Sequence, residues 1–176
     1  MNTENVMEYS KKEVMLESLI ESNADFKTFY QLPLVSDMSQ KHAMVLFSCM
    51  TRKTFEAGKV IYEAGTSSDG EMYLILDGKV SVQNESGYKY TSLRQGDVFG
   101  LFSFLDEKRS HSATLCVERD VVVLTLERTY FDLIALEEPK LGNKLMRFMF
   151  SLLSEKALEL EVEYAHMHNF AFGGKV

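Results

Sequence analysis

The spacing of hydrophobic and polar positions changes twice along the chain, and the first change separates a helical beginning from a β-rich middle. Residues 1–30 contain no Gly or Pro, and apolar residues recur there at helical intervals, at Val14, Leu16, Leu19, Ile20 and Phe26. They predict a helical N-terminal extension that Pro33 interrupts. Ser36 or Asp37 is expected to cap a second helix. Its apolar side consists of Met44, Leu46, Phe47 and Met50.

The middle of the chain, residues 51–127, alternates apolar and polar positions with the period of two that is typical of β-strands. Turn formers interrupt the alternation at short intervals, at Ala57-Gly58, residues 66–70, Asp77-Gly78 and residues 118–120. Asp77-Gly78 is the strongest hairpin signal, because a two-residue turn needs positive φ. The pattern predicts seven or eight short strands closed into an antiparallel jelly roll, which buries one face of each strand.

After Arg128 the helical period returns. Residues 129–138 predict a short helix that ends before Pro139, and a long helix follows. Its apolar residues recur at intervals of three or four and predict a seam for a second copy of the chain or for a protein partner. The seam consists of Met146, Met149, Leu153, Ala157, Leu160, Tyr164 and Met167. The chain is thus expected to divide into a helical N-terminal extension (1–30), a β-barrel domain (31–140) and a C-terminal helix (141–170).

Composition and charge narrow the classes of function. The chain has 176 residues and a formal net charge of −7, which argues against direct DNA or RNA binding, because such binding needs a basic surface. Cys49 and Cys116 lack metal-ligand spacing, and both are expected to be reduced thiols. The N-terminus has no signal-peptide pattern, and no apolar run is long enough to span a membrane. A cytoplasmic protein without membrane insertion is expected.

Three tight turns share one order and spacing between residues 55 and 100. The pattern is Phe55-x-Ala57-Gly58-x-Val60-Ile61, Gly65, Asp69, Met72-Tyr73-Leu74-Ile75, Gly78-Lys79-Val80 and Gly96-Asp97-x-Phe99-Gly100. In this pattern the chain resembles the cyclic nucleotide-binding domain family, the sensor fold of catabolite activators, kinase regulatory subunits and gated channels. The resemblance implies a double-stranded β-helix, or jelly-roll barrel, with N-terminal helices and a long C-terminal helix.

The resemblance also implies where a ligand would bind, in the stretch from Gly96 to Leu115, here called the cassette. In the family, a Glu directly after Phe-Gly holds the ribose and a later Arg neutralises the cyclic phosphate. Here Leu101 stands at the Glu position and His111 at the Arg position, and Arg109 lies two residues earlier. Loss of both charged groups is expected to weaken binding by about 3–6 kcal/mol. The candidate ligand-binding residues are Gly100, Leu101, Phe102, Ser103, Arg109, His111, Ser112 and Ala113.

Three interpretations of the cassette stay open. It has lost ligand binding and serves as a scaffold or interaction module, it binds another small anion or a nucleotide through His111 and backbone amides, or it binds cyclic nucleotides in the ordinary way. The sequence favours the first. We therefore expect a non-catalytic regulatory or protein-interaction module that pairs with itself or with a protein partner through the C-terminal helix. In the second interpretation, a ligand in the barrel signals through that helix.

An enzyme or a metal-binding jelly roll is a further alternative. His166 and His168 diverge if their segment is helical, so they are not expected to share a metal ion. The carboxylates of the same segment predict a solvated helix face, and they are Glu155, Glu159, Glu161 and Glu163. The sequence predicts no catalytic residue, no metal and no cofactor.

Overall fold

The computed structural model describes residues 17–172, and side chains up to residue 170. Residues 17–22 are helical, and the helix breaks at Asn23. The Oδ1 atom of Asn23 accepts hydrogen bonds from the backbone N–H groups of Asp25 and Phe26, so a new helix begins after it. The end of the predicted N-terminal extension is therefore two helical pieces, and residues 1–16 lie outside the described residues.

Three elements lead into the sheet: helix α1 (Ala24–Phe29), a 3-10 turn (Pro33–Val35) and helix α2 (Gln40–Ser48). Ser39 caps α2, since its Oγ accepts a hydrogen bond from the N–H of His42 at 3.3 Å. The prediction of Ser36 or Asp37 as the cap is wrong, because the 3-10 turn moves the start of the helix further along the chain.

Six antiparallel strands form the sheet of the described chain. They are β1 (Thr51–Phe55), β2 (Val60–Tyr62), β3 (Glu71–Gln83), β4 (Lys89–Arg94), β5 (Val98–Phe99) and β6 (Thr114–Glu127). Strand β6 pairs with β1, β2 and β3, and β3 also pairs with β4 and β5. The predicted class, an antiparallel β fold with flanking helices and a long C-terminal helix, is confirmed.

The two longest strands pass through positions at which turns are predicted. Strand β3 continues through Asp77-Gly78, and β6 continues through residues 118–120. Gly78 has a φ of 105°, and a Cβ there would lie 2.3 Å from the carbonyl oxygen of Asp120. The register between the strands shifts at this point, so the glycine permits a bulge rather than a hairpin. Since a hairpin and a bulge both need positive φ, the sequence pattern could not separate them. Residues 51–127 therefore form six strands instead of the expected seven or eight.

Three helices complete the described chain: α3 (Leu101–Leu105), α4 (Arg128–Glu137) and α5 (Pro139–Phe172). Helix α4 ends before Pro139, as the sequence predicts, and Pro139 then occupies the first turn of α5, where its missing N–H has no cost. A Cβ on Gly142 would lie 2.8 Å from the Cα of Ala135. The glycine therefore lets α5 pack closely on α4.

The sheet separates two apolar cores, because successive side chains of a strand point to opposite faces. Along β3, Met72 and Leu74 contribute to the helix-side core, whereas Tyr73 and Ile75 contribute to the barrel core. The helix-side core also includes buried residues of α1, α2, α3, α4 and α5. The barrel core is the one that a ligand of the cassette would have to enter.

Helix α5 has two halves that differ in burial. The proximal half (residues 139–153) presents the buried side chains of Leu141, Leu145 and Met149 to the helix-side core. Every residue of the distal half (residues 154–170) is exposed. Among residues 17–172, no helix combines the length and the apolar character needed to cross a bilayer.

Candidate functional site

The backbone of the cassette places Gly100 against the start of β3. Gly100 has a φ of 78° and immediately precedes α3. A Cβ at this position would lie 2.8 Å from the carbonyl oxygen of Glu71 and 3.1 Å from the ring of Tyr73. Any side chain would push the strand and the helix apart, so the sequence needs glycine here. The backbone turn of the cassette is thus retained.

The two predicted site residues that follow Gly100 do not enter the barrel. Leu101 is buried in the helix-side core together with Phe104, and Phe102 is exposed to solvent. The short helix α3 turns one side chain toward the core and the next toward water. The side chains of Leu101 and Phe102 therefore offer no polar group to a ligand, and only the backbone of these two residues could contact one.

Among the predicted site residues, His111 is the titratable one whose side chain is buried. It is buried, and its ring stacks on Tyr62 with centroids 3.7 Å apart and an interplanar angle of 9°. Its Nδ1 lies 3.3 Å from the Oγ of Ser103, so these two predicted residues are brought together. Burial lowers the pKa of His111 below its ordinary value of 6.5, and the nearby Asp69 carboxylate opposes the shift only in part. At neutral pH the imidazole is therefore mainly uncharged.

Four rings pack together in the barrel, two from the cassette and two from neighbouring strands, and we call them the aromatic cluster: Tyr62, Tyr73, Phe99 and His111. Tyr73 stacks on Phe99 at 4.7 Å, and Tyr62 lies 6.0 Å from Tyr73 and 6.1 Å from Phe99. The hydroxyl of Tyr73 donates a hydrogen bond to the carboxylate of Asp69. An anion bound here would meet the Asp69 carboxylate, and like charges oppose each other.

The remaining predicted residues of the cassette are dispersed. Arg109 is exposed, and its guanidinium lies 3.6 Å from the carboxylate of Asp106 in the same loop. Ser112 is exposed and Ala113 is buried in the barrel core. Arg109 does not replace the guanidinium that the resemblance implies, because it is exposed and pairs with a carboxylate of its own loop.

Arg128 fixes the cassette from outside, and the sequence pattern did not indicate it. Its guanidinium donates hydrogen bonds to the carbonyl oxygens of Ser103 at 2.7 Å and Phe104 at 2.6 Å. It also pairs with Glu107 at 2.9 Å. The last carbonyls of a helix have no partners within that helix, so Arg128 satisfies the C-terminus of α3. This contact joins distant parts of the chain, and no short-range motif marks it.

Two cavities in the described surface lie away from the cassette. One, of about 360 Å³, lies at α1 and is lined by Phe26, Lys27 and Tyr30 among others. The other, of about 600 Å³, lies at the bend of β3 and β6, beside Asp77 and Asp120. Neither is lined by the aromatic cluster. Residues 17–172 also contain no group of three or more His, Cys, Asp or Glu side chains that could hold a metal ion.

The predicted seam of α5 is divided between the chain's own core and the solvent. Met149 is only 2% exposed and belongs to the helix-side core, and Met146 and Leu153 are half-buried against it. Ala157, Leu160, Tyr164 and Met167 are exposed, with Leu160 and Tyr164 each at 66%. Met149 is therefore unavailable to a partner, and the free part of the seam begins at Ala157.

Comparison with known proteins identifies the class. Residues 52–137 match the family described as the cyclic nucleotide-binding domain. A cyclic nucleotide-binding domain from Methylobacillus flagellatus is similar in structure, with 22% identity, a TM-score of 0.68 and coverage of 81% of this chain and 80% of that one. The catabolite activator protein of Thermus thermophilus is 25% identical with a TM-score of 0.63, over 75% of this chain and 63% of that one.

A regulatory subunit of a cAMP-independent protein kinase A from Trypanosoma brucei is also similar, with 20% identity and a TM-score of 0.61 over 80% of this chain and 47% of that one. No curated protein matches the chain. Residues 52–137 form a cyclic nucleotide-binding domain of the jelly-roll type, and no DNA-binding domain accompanies it within residues 17–172. Residues 52–137, just under half of the chain, thus match this family and share its jelly-roll fold.

Proposed function

We propose that this chain is a non-catalytic, cytoplasmic regulatory module whose barrel has lost ordinary binding of cAMP and cGMP, and which acts through contacts of α5. The stack of Tyr62 on His111 carries the proposal, because a buried and mainly uncharged imidazole lies where the resemblance implies a guanidinium. A cyclic nucleotide would have to displace the stacked pair of Tyr62 and His111 and then place its phosphate near a carboxylate.

The binding free energy that the two missing charged groups would contribute is large enough to favour loss of binding over a mere reduction in specificity. A hydrogen bond to a charged group contributes about 1.5–3 kcal/mol, so absence of the acid and the guanidinium removes about 3–6 kcal/mol. That corresponds to about two to four powers of ten in Kd. The regulatory subunit from Trypanosoma brucei belongs to a cAMP-independent protein kinase A, and it supports the idea that this fold can regulate without cAMP.

Thermal unfolding in the presence of cyclic nucleotides tests the loss of binding. We expect no rise in Tm with cAMP or cGMP up to millimolar concentration, because a ligand that binds only the folded chain must raise Tm with its concentration. Isothermal titration calorimetry at the same concentrations is the independent measurement. A Tm that climbs with either nucleotide, matched by a heat of binding, contradicts the proposal.

We further propose that two copies of the chain pair through the free part of the seam, Ala157, Leu160, Tyr164 and Met167. Exposed apolar residues at alternating intervals of three and four are the pattern that pairs helices. Every residue from 154 to 170 is exposed, so α5 does not pack on its own chain there. The distal seam positions are therefore free for a second copy. Three distal seam positions are large and apolar or aromatic, and their burial would stabilise the pair.

Sedimentation analysis of Leu160→Glu tests the pairing. The wild type is expected to sediment as a dimer at micromolar concentration and the variant as a monomer, because the substitution puts a charge into the seam. Leu158→Glu is the matched control, since Leu158 is similarly exposed on the opposite side of the helix. A monomeric wild type, or equal dissociation by both substitutions, contradicts pairing through this seam.

A second candidate function is a sensor for a small anion, and the proximity of Ser103 Oγ and His111 Nδ1 favours it. If His111 were protonated, Nδ1–H would donate to the Oγ of Ser103, which itself donates to the carbonyl oxygen of Gly100, and the other ring nitrogen would carry a proton to offer to an anion. Thermal unfolding at pH 5.5 and 7.5 with inorganic phosphate and with cAMP separates this function from the first. A ligand-dependent rise in Tm at the acidic pH alone supports the sensor, and none at either pH rejects it.

A further inference from the structure

The distal half of α5 has a second apolar side that the seam does not include. Leu158 is 59% exposed and Val162 is 55% exposed. Residues two positions apart lie about 200° apart around a helix, so Leu158 and Val162 lie opposite Leu160 and Tyr164. A second copy that covers the seam therefore leaves both side chains in water. We call Leu158 and Val162, with the carboxylates beside them, the outer face.

Carboxylates flank the outer face on both of its sides. Residues three positions apart are neighbours on a helix surface, which places Glu155 and Glu161 on either side of Leu158, and Glu159 beside Val162. Lys156 is the one Lys or Arg side chain of residues 154–170, and its Nζ pairs with Glu159 at 2.6 Å. The outer face thus combines apolar contact area with a net negative charge.

The body of the chain does not cover this face. The side of α5 that binds the body is marked by Leu145, which is buried in the helix-side core. Lys156 and Glu163 lie on that same side about three and five turns later, where another apolar residue would be needed to continue the contact. The distal half therefore leaves the body at the point where its body-facing positions become charged.

We propose that the outer face binds a basic amphipathic helix of another protein, whose apolar residues cover Leu158 and Val162 and whose Lys or Arg side chains pair with Glu155, Glu159 and Glu161. Charge decides this choice of partner. A second copy that used its own outer face would place carboxylates against carboxylates, which is destabilising, whereas a basic helix gains an ion pair on each side. The proposal rests on the proposed pairing through the seam for one point only, which is that the seam is already covered.

Fluorescence anisotropy with synthetic helical peptides and the full chain tests the proposal. The basic peptide carries leucines at i and i+4 flanked by lysines. Its acidic counterpart has glutamates in place of the lysines, and a scrambled peptide keeps the basic composition but distributes the leucines around the helix. We expect the basic peptide to bind about tenfold more tightly than either control, and its binding to weaken as salt rises toward ~0.3 M.

Variants of the exposed helix locate the binding. The outer-face variant (Leu158→Gln, Val162→Gln) and the charge variant (Glu155→Gln, Glu159→Gln, Glu161→Gln) each keep residues that favour a helix, and each is expected to weaken the basic peptide about tenfold. The seam variant (Leu160→Gln, Tyr164→Gln) is the matched control and is expected to retain peptide binding while losing the dimer.

The outcomes separate this proposal from the one on which it rests. Equal binding of the basic, acidic and scrambled peptides overturns the proposed partner, as does wild-type affinity in the outer-face variant. If the outer-face variant instead dissociates the dimer, the outer face belongs to a second copy and the proposal is wrong. Loss of the dimer in the seam variant alone, with peptide binding retained, supports both proposals. Loss of peptide binding in the seam variant shows that the peptide occupies the seam, and this too overturns the outer face.

Discussion

The cassette and the distal half of α5 use similar side chains in opposite ways. In the cassette, where a family member would offer charged groups to a ligand, Phe104 and His111 are buried against their own chain. In the distal half of α5, Leu160, Tyr164 and Phe170 are exposed, although such side chains are the ones that most proteins bury. The side chains of the first region are packed within the chain, whereas those of the second are exposed and available to a partner.

The difference indicates which apolar side chains stabilise the folded chain and which are available to stabilise a complex. Buried rings contribute to the stability of the folded chain, because their removal leaves a cavity. Exposed apolar residues on a helix contribute to the stability of a complex, because their burial waits for a partner. Substitution of the same residue type in or against the cassette and in the distal half of α5 should therefore change two different measurements, and the chain offers matched pairs of Phe, Tyr and His.

The phenylalanine pair should show the largest effect. Phe104 is 1% exposed and Phe170 is 94% exposed. Phe104→Ala is expected to lower the free energy of unfolding by about 3–5 kcal/mol, whereas Phe170→Ala should leave it unchanged within error. Urea unfolding at low protein concentration, where association is weakest, provides the measurement. Comparable losses of unfolding free energy in both variants would mean that the distal half packs against the domain, which would contradict its exposure.

The tyrosine pair should show a smaller effect. Tyr62 stacks on His111, so Tyr62→Ala is expected to lower the free energy of unfolding by about 2 kcal/mol. Tyr62→Phe keeps the stacking surface and serves as the control. Tyr164→Ala should leave unfolding of the monomer unchanged and weaken the dimer in sedimentation. If Tyr62→Ala unfolds like the wild type, the stack of Tyr62 on His111 contributes little to stability, and a nucleotide could displace it at little cost.

Much of the fold could be predicted from the sequence because its signals are local. The period of the apolar residues separates the sheet from α5, and Pro139 marks the boundary between α4 and α5. The pattern failed where two structures share one requirement: Gly78 satisfies the positive φ of a hairpin and of a bulge alike, and the pairing of β3 with β6 decides between them. That pairing joins residues far apart in the sequence.

The candidate site could be predicted only at its backbone and at His111. The glycines indicated the turn at Gly100, but the direction of Leu101 depends on how α3 packs, which its five residues do not determine alone. The stacking of Tyr62 on His111 and the cap that Arg128 provides for α3 both join separate elements. Such contacts follow from the topology, and the residues that make them carry no motif of their own.

The histidine pair should show the smallest effect, and it concerns pH. Burial lowers the pKa of His111 in the folded chain below its ordinary value of 6.5, so between these two values the unfolded chain binds more protons than the folded one. The free energy of unfolding must then fall as pH drops through about 6.5, and the fall must stop once pH passes the folded pKa. Urea midpoints measured from pH 7.5 to pH 5 should show this slope.

Two variants isolate the contribution of His111 to that slope. His111→Gln removes the titrating ring and should flatten the dependence on pH over this range, even though loss of the stack lowers stability at every pH. His166→Gln, in the exposed distal half of α5, is the matched control and should leave the slope of the monomer as it is in the wild type. An unchanged slope in His111→Gln would mean that the imidazole is as free to take up a proton in the barrel as in water. That outcome would contradict the uncharged imidazole of His111, on which the proposed loss of nucleotide binding depends.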